Sequence, residues 1–514
     1  MNAHGSDTPF FWLLLIAFLV GLGARRLGVP YALALVMTGL LLGVARLFPG
    51  LQLEPHLLFT VFLPPLLFES AIHLRLGELR RNWAPISIYT FAGTLFSTFI
   101  IGALSSWLLF LPPSTALVFG ALISATDPIS VLAIFKRLGA GKRLTLIMEA
   151  ESLFNDGVAV VLFSVLTAAA AGGTLSWSAG MLGFLQLIVG GTLLGALIGG
   201  GAILIHRNLD DHLVELTLST LVAFGSYLAA ESLGVSGVMA VVAAGLVLGN
   251  FGQGAISPGT RLALVAFWEF AGFVVNSLIF LLIGIQVVSF NWQNKIFLAF
   301  GAALLVLVGR SVIYPLSWLV NRLGGQVPRA WQHVLVWAGL RGALSMALAL
   351  GLPTDFPGRE PLLAATFGVV LFSLLVQGLS VGPLLARLGL TGQAARGPRD
   401  AGQLQSEIAA TDAALLYLDE LRRSEAYPQW VIESLAHGYN RRRALLESAD
   451  ESALPRDGLG EEKQTAEVHI LVLSAEKKSY QDAQRHGLLD EEEWRRIAAR
   501  IDAEVFALQI KQRG

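Results

Sequence analysis

Two polar motifs sit inside strongly apolar sequence, and their residue types limit the chemistry open to this chain. The first is Glu149-Ala150-Glu151-Ser152-Leu153-Phe154-Asn155-Asp156. At helical spacing Ser152 and Asp156 share one face, Glu149 precedes them on the same stripe, and Glu151 and Asn155 share the adjoining one. A helix so furnished faces protein or water, never lipid. Its ligands are carboxylate, hydroxyl and amide oxygens, a set that suits Na⁺, K⁺ or H₃O⁺ rather than a transition metal. The second motif is Ser124-Ala125-Thr126-Asp127-Pro128, within the apolar stretch 115–136. Pro128 donates no N–H and its ring clashes with the preceding turn, so carbonyls near residue 124 lose their helical partners. Broken backbone at membrane depth survives only where it is buried in protein or lines a wet cavity. Here it frees main-chain oxygens beside a carboxylate, and Asp127 can at the same time cap the helix that restarts.

The elements that must position these groups are membrane spans, each needing roughly 20 mostly apolar residues. Thirteen segments meet that rule: 10–24, 30–48, 57–74, 84–111, 115–136, 144–170, 178–205, 212–233, 235–252, 262–288, 295–320, 331–352 and 361–388. A charge at the middle of a span is expensive, which makes every intramembrane ionisable group a functional candidate. Those groups are Glu69, Asp127, Glu149, Glu151, Asp156, Glu215, Glu231, Glu269, Arg310 and Arg341. Glu215 and Glu231 lie near span ends, where they are expected to reach headgroups or water. His73 and His333 lie near span ends too and are candidates for modulating a pH response.

Composition agrees with this picture. Of 514 residues 54% are hydrophobic and 14% charged, with mean hydropathy +0.64, against about 25% charged in an ordinary soluble chain. Residues 1–386 carry 18 of the 36 Lys+Arg, and the last 128 carry the other 18. The chain is therefore expected to divide into a transmembrane domain at 1–390 and a soluble tail at 391–514. With the N-terminus outside, inward loops hold Arg25, Arg26, Arg75, Arg80, Arg81, Lys136, Arg137, Lys142, Arg143, Arg207, Arg261, Arg322 and Arg329. Outward loops hold only Arg46, Lys295 and Arg359. This asymmetry predicts a cytoplasmic C-terminus. The first apolar run lacks a basic leader and a cleavage site, so it reads as a retained helix. A net charge of −1 leaves no nucleic-acid footprint, and zero cysteines exclude disulfides and thiolate metal sites. No phosphate-binding loop indicates a nucleotide, and no cofactor is expected.

Thr126-Asp127-Pro128, followed by Glu151-Ser152-x-x-Asn155-Asp156, Arg310 and Gly339-Leu340-Arg341-Gly342-Ala343, resembles the NhaP-type branch of the monovalent cation:proton antiporters, related to the eukaryotic sodium/proton exchangers. The resemblance covers residues 10–388; Ala150 and Phe154 stand where Gly and Leu are commoner. It implies an all-α integral membrane protein of about thirteen transmembrane helices, with six-helix inverted repeats, a moving core, a fixed dimerisation domain and a homodimer in the cell membrane. It implies that the fifth and twelfth spans are discontinuous crossing helices, as Pro128 and the Gly339/Gly342 pair independently suggest; such breaks point to a transporter site. It further implies that Asp156 binds the ion and exchanges the proton, with Ser152 and Thr126 as Na⁺ ligands and Asp127 and Glu69 completing the shell. Glu151 is implied to pair with Arg310, and Arg341 to balance helix ends and carboxylates.

Competition then supplies a mechanism. A carboxylate in a closed apolar cavity is costly to leave bare, so Asp156 carries either a proton or a cation, and only loaded states cross. The expected activity is electroneutral 1:1 exchange of Na⁺ (or Li⁺/K⁺) for H⁺ in pH homeostasis, with K⁺/H⁺ exchange at the same site as the alternative. Asn155 supports electroneutrality, because electrogenic relatives resemble this motif with two adjacent aspartates. An intramembrane hydrolase would leave Ser152, Asn155 and two buried arginines without a purpose. A passive channel would need no proton-coupled carboxylate. No catalytic residues are expected.

Two further patterns are structural. Gly191, Gly195 and Gly199 form a small-residue stripe suited to close helix packing. The tail reads as helices at Leu404–Arg423, Gln429–Glu447 and Glu467–His486. A fourth begins at Asp490, with Glu493 completing a capping box.

Overall fold

The computed structural model describes residues 8–27, 30–48, 55–170, 177–206, 209, 211–252, 258–288, 295–392, 401–423, 429–448, 463–485 and 488–513. Among these residues all regular structure is helical. Among the described residues eight helices are long and apolar enough to cross a membrane, from Trp83–Leu108 to Arg359–Arg387, and shorter apolar helices run over Phe11–Ala24, Tyr31–Val44, Leu58–His73 and Gly237–Phe251. The chain forms two compact units, 1–395 and 396–514.

In the larger unit, glycines set the spacing of the helices. The stripe on Trp177–His206 presses on Gly237–Phe251: a Cβ on Gly195 would lie 2.0 Å from the Ala240 carbonyl oxygen, and one on Gly191 2.4 Å from that of Ser236. Tyr31–Val44 and Pro258–Val288 cross equally closely, since a Cβ on Gly39 would lie 2.2 Å from the Leu281 carbonyl oxygen. These contacts build one packed group, Tyr31–Val44, Leu63–His73, Gly237–Phe251 and Pro258–Val288. A second joins Thr94–Leu108, Pro113–Ser124, Lys142–Ala170, Ile296–Arg310 and Arg359–Phe372.

Two spans of the larger unit are interrupted. Pro113–Ser124 begins with proline in its first turn and stops before Asp127-Pro128; the chain is extended at Ala125 and turns helical again at Ile129–Leu138. Gly139, at φ 64°, closes that second piece with a left-handed cap. Arg329–Trp337 stops before Gly339, and the chain resumes at Ala343–Leu350. Both discontinuities fall where the sequence placed them.

In the smaller unit Ala401–Arg423, Gln429–Ser448, Lys463–Arg485 and Glu491–Arg513 are helices. Ala414, Leu418, Val431, Leu435 and Val472 form one core. Glu476, buried on its helix, accepts hydrogen bonds from Arg442 Nη1 at 2.8 Å and the Tyr439 hydroxyl at 3.1 Å. Burial pushes the neighbouring Tyr480 hydroxyl up to about 12. The capping box is formed in both directions: Glu493 N donates to Asp490 Oδ1 at 2.7 Å, and Asp490 N donates to Glu493 Oε2 at 3.2 Å.

Candidate functional site

The site forms where the two interruptions cross. Asp127 N donates to the Leu340 carbonyl at 2.8 Å, which ties one unwound segment to the other. Arg341 Nη1 donates to the carbonyls of Ser124 at 3.3 Å and Ala125 at 3.2 Å. Those oxygens end a half-helix and carry the negative end of its dipole, so a guanidinium is the complementary charge. Arg341 is held in turn by Ser373, whose Oγ accepts from Arg341 N at 3.1 Å. Gly342 is required here, because a Cβ would fall 2.1 Å from Asp127 Oδ2. Asp127 Oδ1 accepts from Ile129 N at 3.1 Å. Its carboxylate thus caps the restarting helix while facing the site.

Lys142–Ala170 crosses this junction and supplies the remaining polar groups. Asn155 acts as a clamp: its Oδ1 accepts from Thr126 N at 3.2 Å, and its Nδ2 donates to Thr126 Oγ1 at 2.7 Å and to Glu151 Oε1 at 3.0 Å. The Thr126 N–H, left without a helical partner at the break, is satisfied by this amide. Ser152 Oγ donates to the Thr126 carbonyl. Glu151 is locked by Arg310, with Nη1 to Oε1 at 2.8 Å and Nη2 to Oε2 at 2.9 Å. Arg310 Nε reaches the Leu335 carbonyl at 3.3 Å. The pair is 2% and 7% exposed at its side chains, so it links three helices in the interior.

A cavity of about 80 Å³ opens beside this junction, lined among others by Thr126, Asp127, Glu149, Ser152 and Asp156. Among the described residues nothing hydrogen-bonds the Asp156 carboxylate, whereas Glu151 is fully paired. Asp156 still lies within electrostatic range of Asp127, Glu151 and Arg341. The junction therefore presents Asp156 as a carboxylate without a hydrogen bond among the described residues, with Glu149, the Ser152 hydroxyl and an unwound main-chain segment around the same cavity. That set can hold a proton or a bare cation and offers nothing for nucleophilic catalysis.

The expected shell needs one correction. Glu69 does not line this cavity; Ser70, the next residue on the helix, does. One residue is roughly a 100° turn on a helix, and the Glu69 side chain instead runs over Gly272, where a Cβ would lie 3.4 Å from its Cγ. There it sits 3.8 Å from His73 Nδ1, and His73 Nε2 lies 3.8 Å from Glu269. His333 is engaged by the Tyr314 hydroxyl at 2.8 Å. Glu215, expected near headgroups, is buried in the protein at 1% exposure. Asn276 and Ser345 also line the cavity, and neither carries a charge to mark it in an apolar sequence. Their signal was available: an amide within the apolar run 262–288, and a hydroxyl three residues after Gly342.

Residues 14–387 match the family described as "Sodium/hydrogen exchanger, transmembrane". The chain is 35% identical to the Na(+)/H(+) antiporter NhaG of Bacillus atrophaeus over 520 residues, covering 98% of each protein. It is 40% identical to the Na(+)/H(+) antiporter ApNhaP of Aphanothece halophytica over 418 residues, covering 79% of this chain and 80% of the relative. Among solved structures, its fold resembles that of the sodium proton antiporter MjNhaP1 from Methanocaldococcus jannaschii at pH 8. The TM-score is 0.60 at 22% identity, over 74% of this chain and 98% of the other.

Proposed function

The chain belongs to the sodium/hydrogen exchanger family of membrane transporters, and we propose that it exchanges one Na⁺ for one H⁺ by competition at Asp156. The observation that carries this reading is the contrast between two acids five residues apart on one helix: Glu151 is neutralised by Arg310, while Asp156 has no hydrogen-bond partner among the described residues beside the crossed interruptions. In this reading Ser152 and the Thr126 carbonyl join Asp156 as cation ligands, and Asp127 contributes its second oxygen. Asn155 and Pro128 shape the unwound segment; Glu151–Arg310 and Arg341 balance fixed charge. Glu69 acts as a staging carboxylate near His73 rather than in the shell.

The cycle follows from electrostatics. A bare Asp156 cannot be sealed into an apolar interior at low cost, so the site closes only around Asp156–H or Asp156 with its cation. Both are neutral, and one replaces the other. The two packed helix groups supply the surfaces that move past each other, with the crossed interruptions carried by one of them. The full architecture we propose is thirteen spans with two six-helix inverted repeats, a core and a dimerisation domain within 1–390, and a helical cytoplasmic tail at 391–514. The N-terminus is outside, the protein is a homodimer in the cell membrane, and its role is pH homeostasis. Li⁺ or K⁺ can use the same oxygens, so K⁺/H⁺ exchange is the second reading.

Electroneutrality is tested in proteoliposomes holding the full chain, with a pH-sensitive dye reporting Na⁺-driven proton movement. Imposing a membrane potential is expected to leave rate and equilibrium unchanged. Movement of one net charge would shift the equilibrium by about 2.3 kcal/mol per 100 mV, and such a shift overturns the 1:1 stoichiometry.

A further inference from the structure

Two neutral residues that line the cavity carry buried side-chain oxygens without a hydrogen-bond partner among the described residues. Ser345, on Ala343–Leu350, is 1% exposed and its Oγ has no hydrogen bond; Asn276, on Pro258–Val288, buries its Oδ1 in the same condition. Both residues line the cavity that contains Asp156, Ser152 and Thr126. A buried polar atom left unpaired costs about 1–3 kcal/mol, and folded proteins rarely keep such atoms without a use for them. The backbone that carries each residue is held in place. The helix segment of Asn276 is anchored by Ser277, whose Oγ is 2.9 Å from the Tyr31 hydroxyl, and by the tight crossing of Gly284 over Val36. Ser345 lies three residues after Gly342, one turn into the helix that resumes beyond the Arg341–Gly342 junction, which Ser373 pins.

We propose that Asn276 Oδ1 and Ser345 Oγ are further ligands of the transported alkali cation and set which cation the site prefers. The inference rests on Asp156 being the exchange carboxylate and adds what that carboxylate lacks. Stripping water from a hard cation requires several replacement oxygens, and their number and field strength decide among ions of equal charge. An amide oxygen and a hydroxyl add coordination without charge, so the loaded site stays neutral. The two come from different walls. Ser345 rides on the interrupted helix, whereas Asn276 belongs to the group with Tyr31–Val44 and Leu63–His73. A cation bound by both bridges the two groups; a proton on Asp156 does not.

The test uses the full chain in proteoliposomes, with Na⁺, Li⁺ and K⁺ each driving proton movement, for wild type, Asn276→Ala, Ser345→Ala, Ser345→Thr and Asp156→Asn. Each alanine variant is expected to raise KM for Na⁺ by about 5- to 10-fold, the worth of one neutral ligand. Maximal rate should stay within about twofold and the order of KM among the three cations should change; Ser345→Thr, which keeps a hydroxyl, should stay near wild type. Thermal melting of the purified protein gives a second readout. Without alkali cation the alanine variants should melt at or above the wild-type temperature, because an orphaned polar atom has been removed. The stabilisation conferred by added Na⁺ should shrink. Unchanged KM values and cation order in both alanine variants overturn the proposal, as does a fall in maximal rate with KM unchanged. Exchange that survives in Asp156→Asn instead overturns the reading of the site itself, so the two failures are distinct.

Discussion

Asp156→Asn is expected to abolish cation-driven proton movement and to leave the protein folded. The two side chains have nearly the same shape, and no described residue hydrogen-bonds the carboxylate, so the fold loses no contact. What disappears is the charge. A unit-charge contact at about 4 Å is worth about 4 kcal/mol at an effective dielectric of about 20. Its loss weakens cation binding by roughly a thousandfold, and an amide carries no exchangeable proton in this range. Transport should therefore fall to the level of empty vesicles while the melting temperature in cation-free buffer stays at or above that of wild type. The expected result separates Asp156 from every structural group around it.

Glu151→Gln is expected to do the reverse and damage the fold before the chemistry. The pair with Arg310 is 2% and 7% exposed and doubly hydrogen-bonded. Removing one partner strands a buried guanidinium, at a cost of about 3–5 kcal/mol. Arg310 also holds the Leu335 carbonyl, and Glu151 also holds Asn155. The damage therefore spreads to the Thr126 clamp and to the second interrupted span. Melting temperature and yield should drop sharply. Arg310→Gln combined with Glu151→Gln should recover most of the lost stability, since two neutral amides leave no stranded charge. If the single variant melts like wild type, the pair is not the structural link described above.

The contrast between these two acids was partly legible in the sequence. Pro128 and the Gly339/Gly342 pair announce their breaks because proline removes a donor and glycine permits close approach, and both are local effects. Ser152, Asn155 and Asp156 follow from helical periodicity for the same reason, as does the Asp490–Glu493 capping box. The clamp that Asn155 places on Thr126 joins residues 29 apart in the chain, and nothing local specifies it. Glu69 was misplaced because membership of a span does not fix rotation about it; a step to Ser70 changes which side chain enters the cavity. Glu215 was misjudged because depth along a helix says nothing of its neighbours, and here it is covered by protein. Asn276 and Ser345 escaped a search for charges because their importance lies in oxygens left unpaired, a property that only packing reveals.

The central claim is that one cation and one proton compete for Asp156. Calorimetric titration of the purified protein with Na⁺ tests it most directly, performed in buffers of differing ionisation enthalpy to count the protons released. Below the pH at which Asp156 gives up its proton, the account predicts close to one proton released per Na⁺ bound. Apparent affinity should fall about tenfold for each unit of acidification, the slope for displacement of a single proton. Na⁺ binding that releases no proton, with an affinity independent of pH, would contradict it.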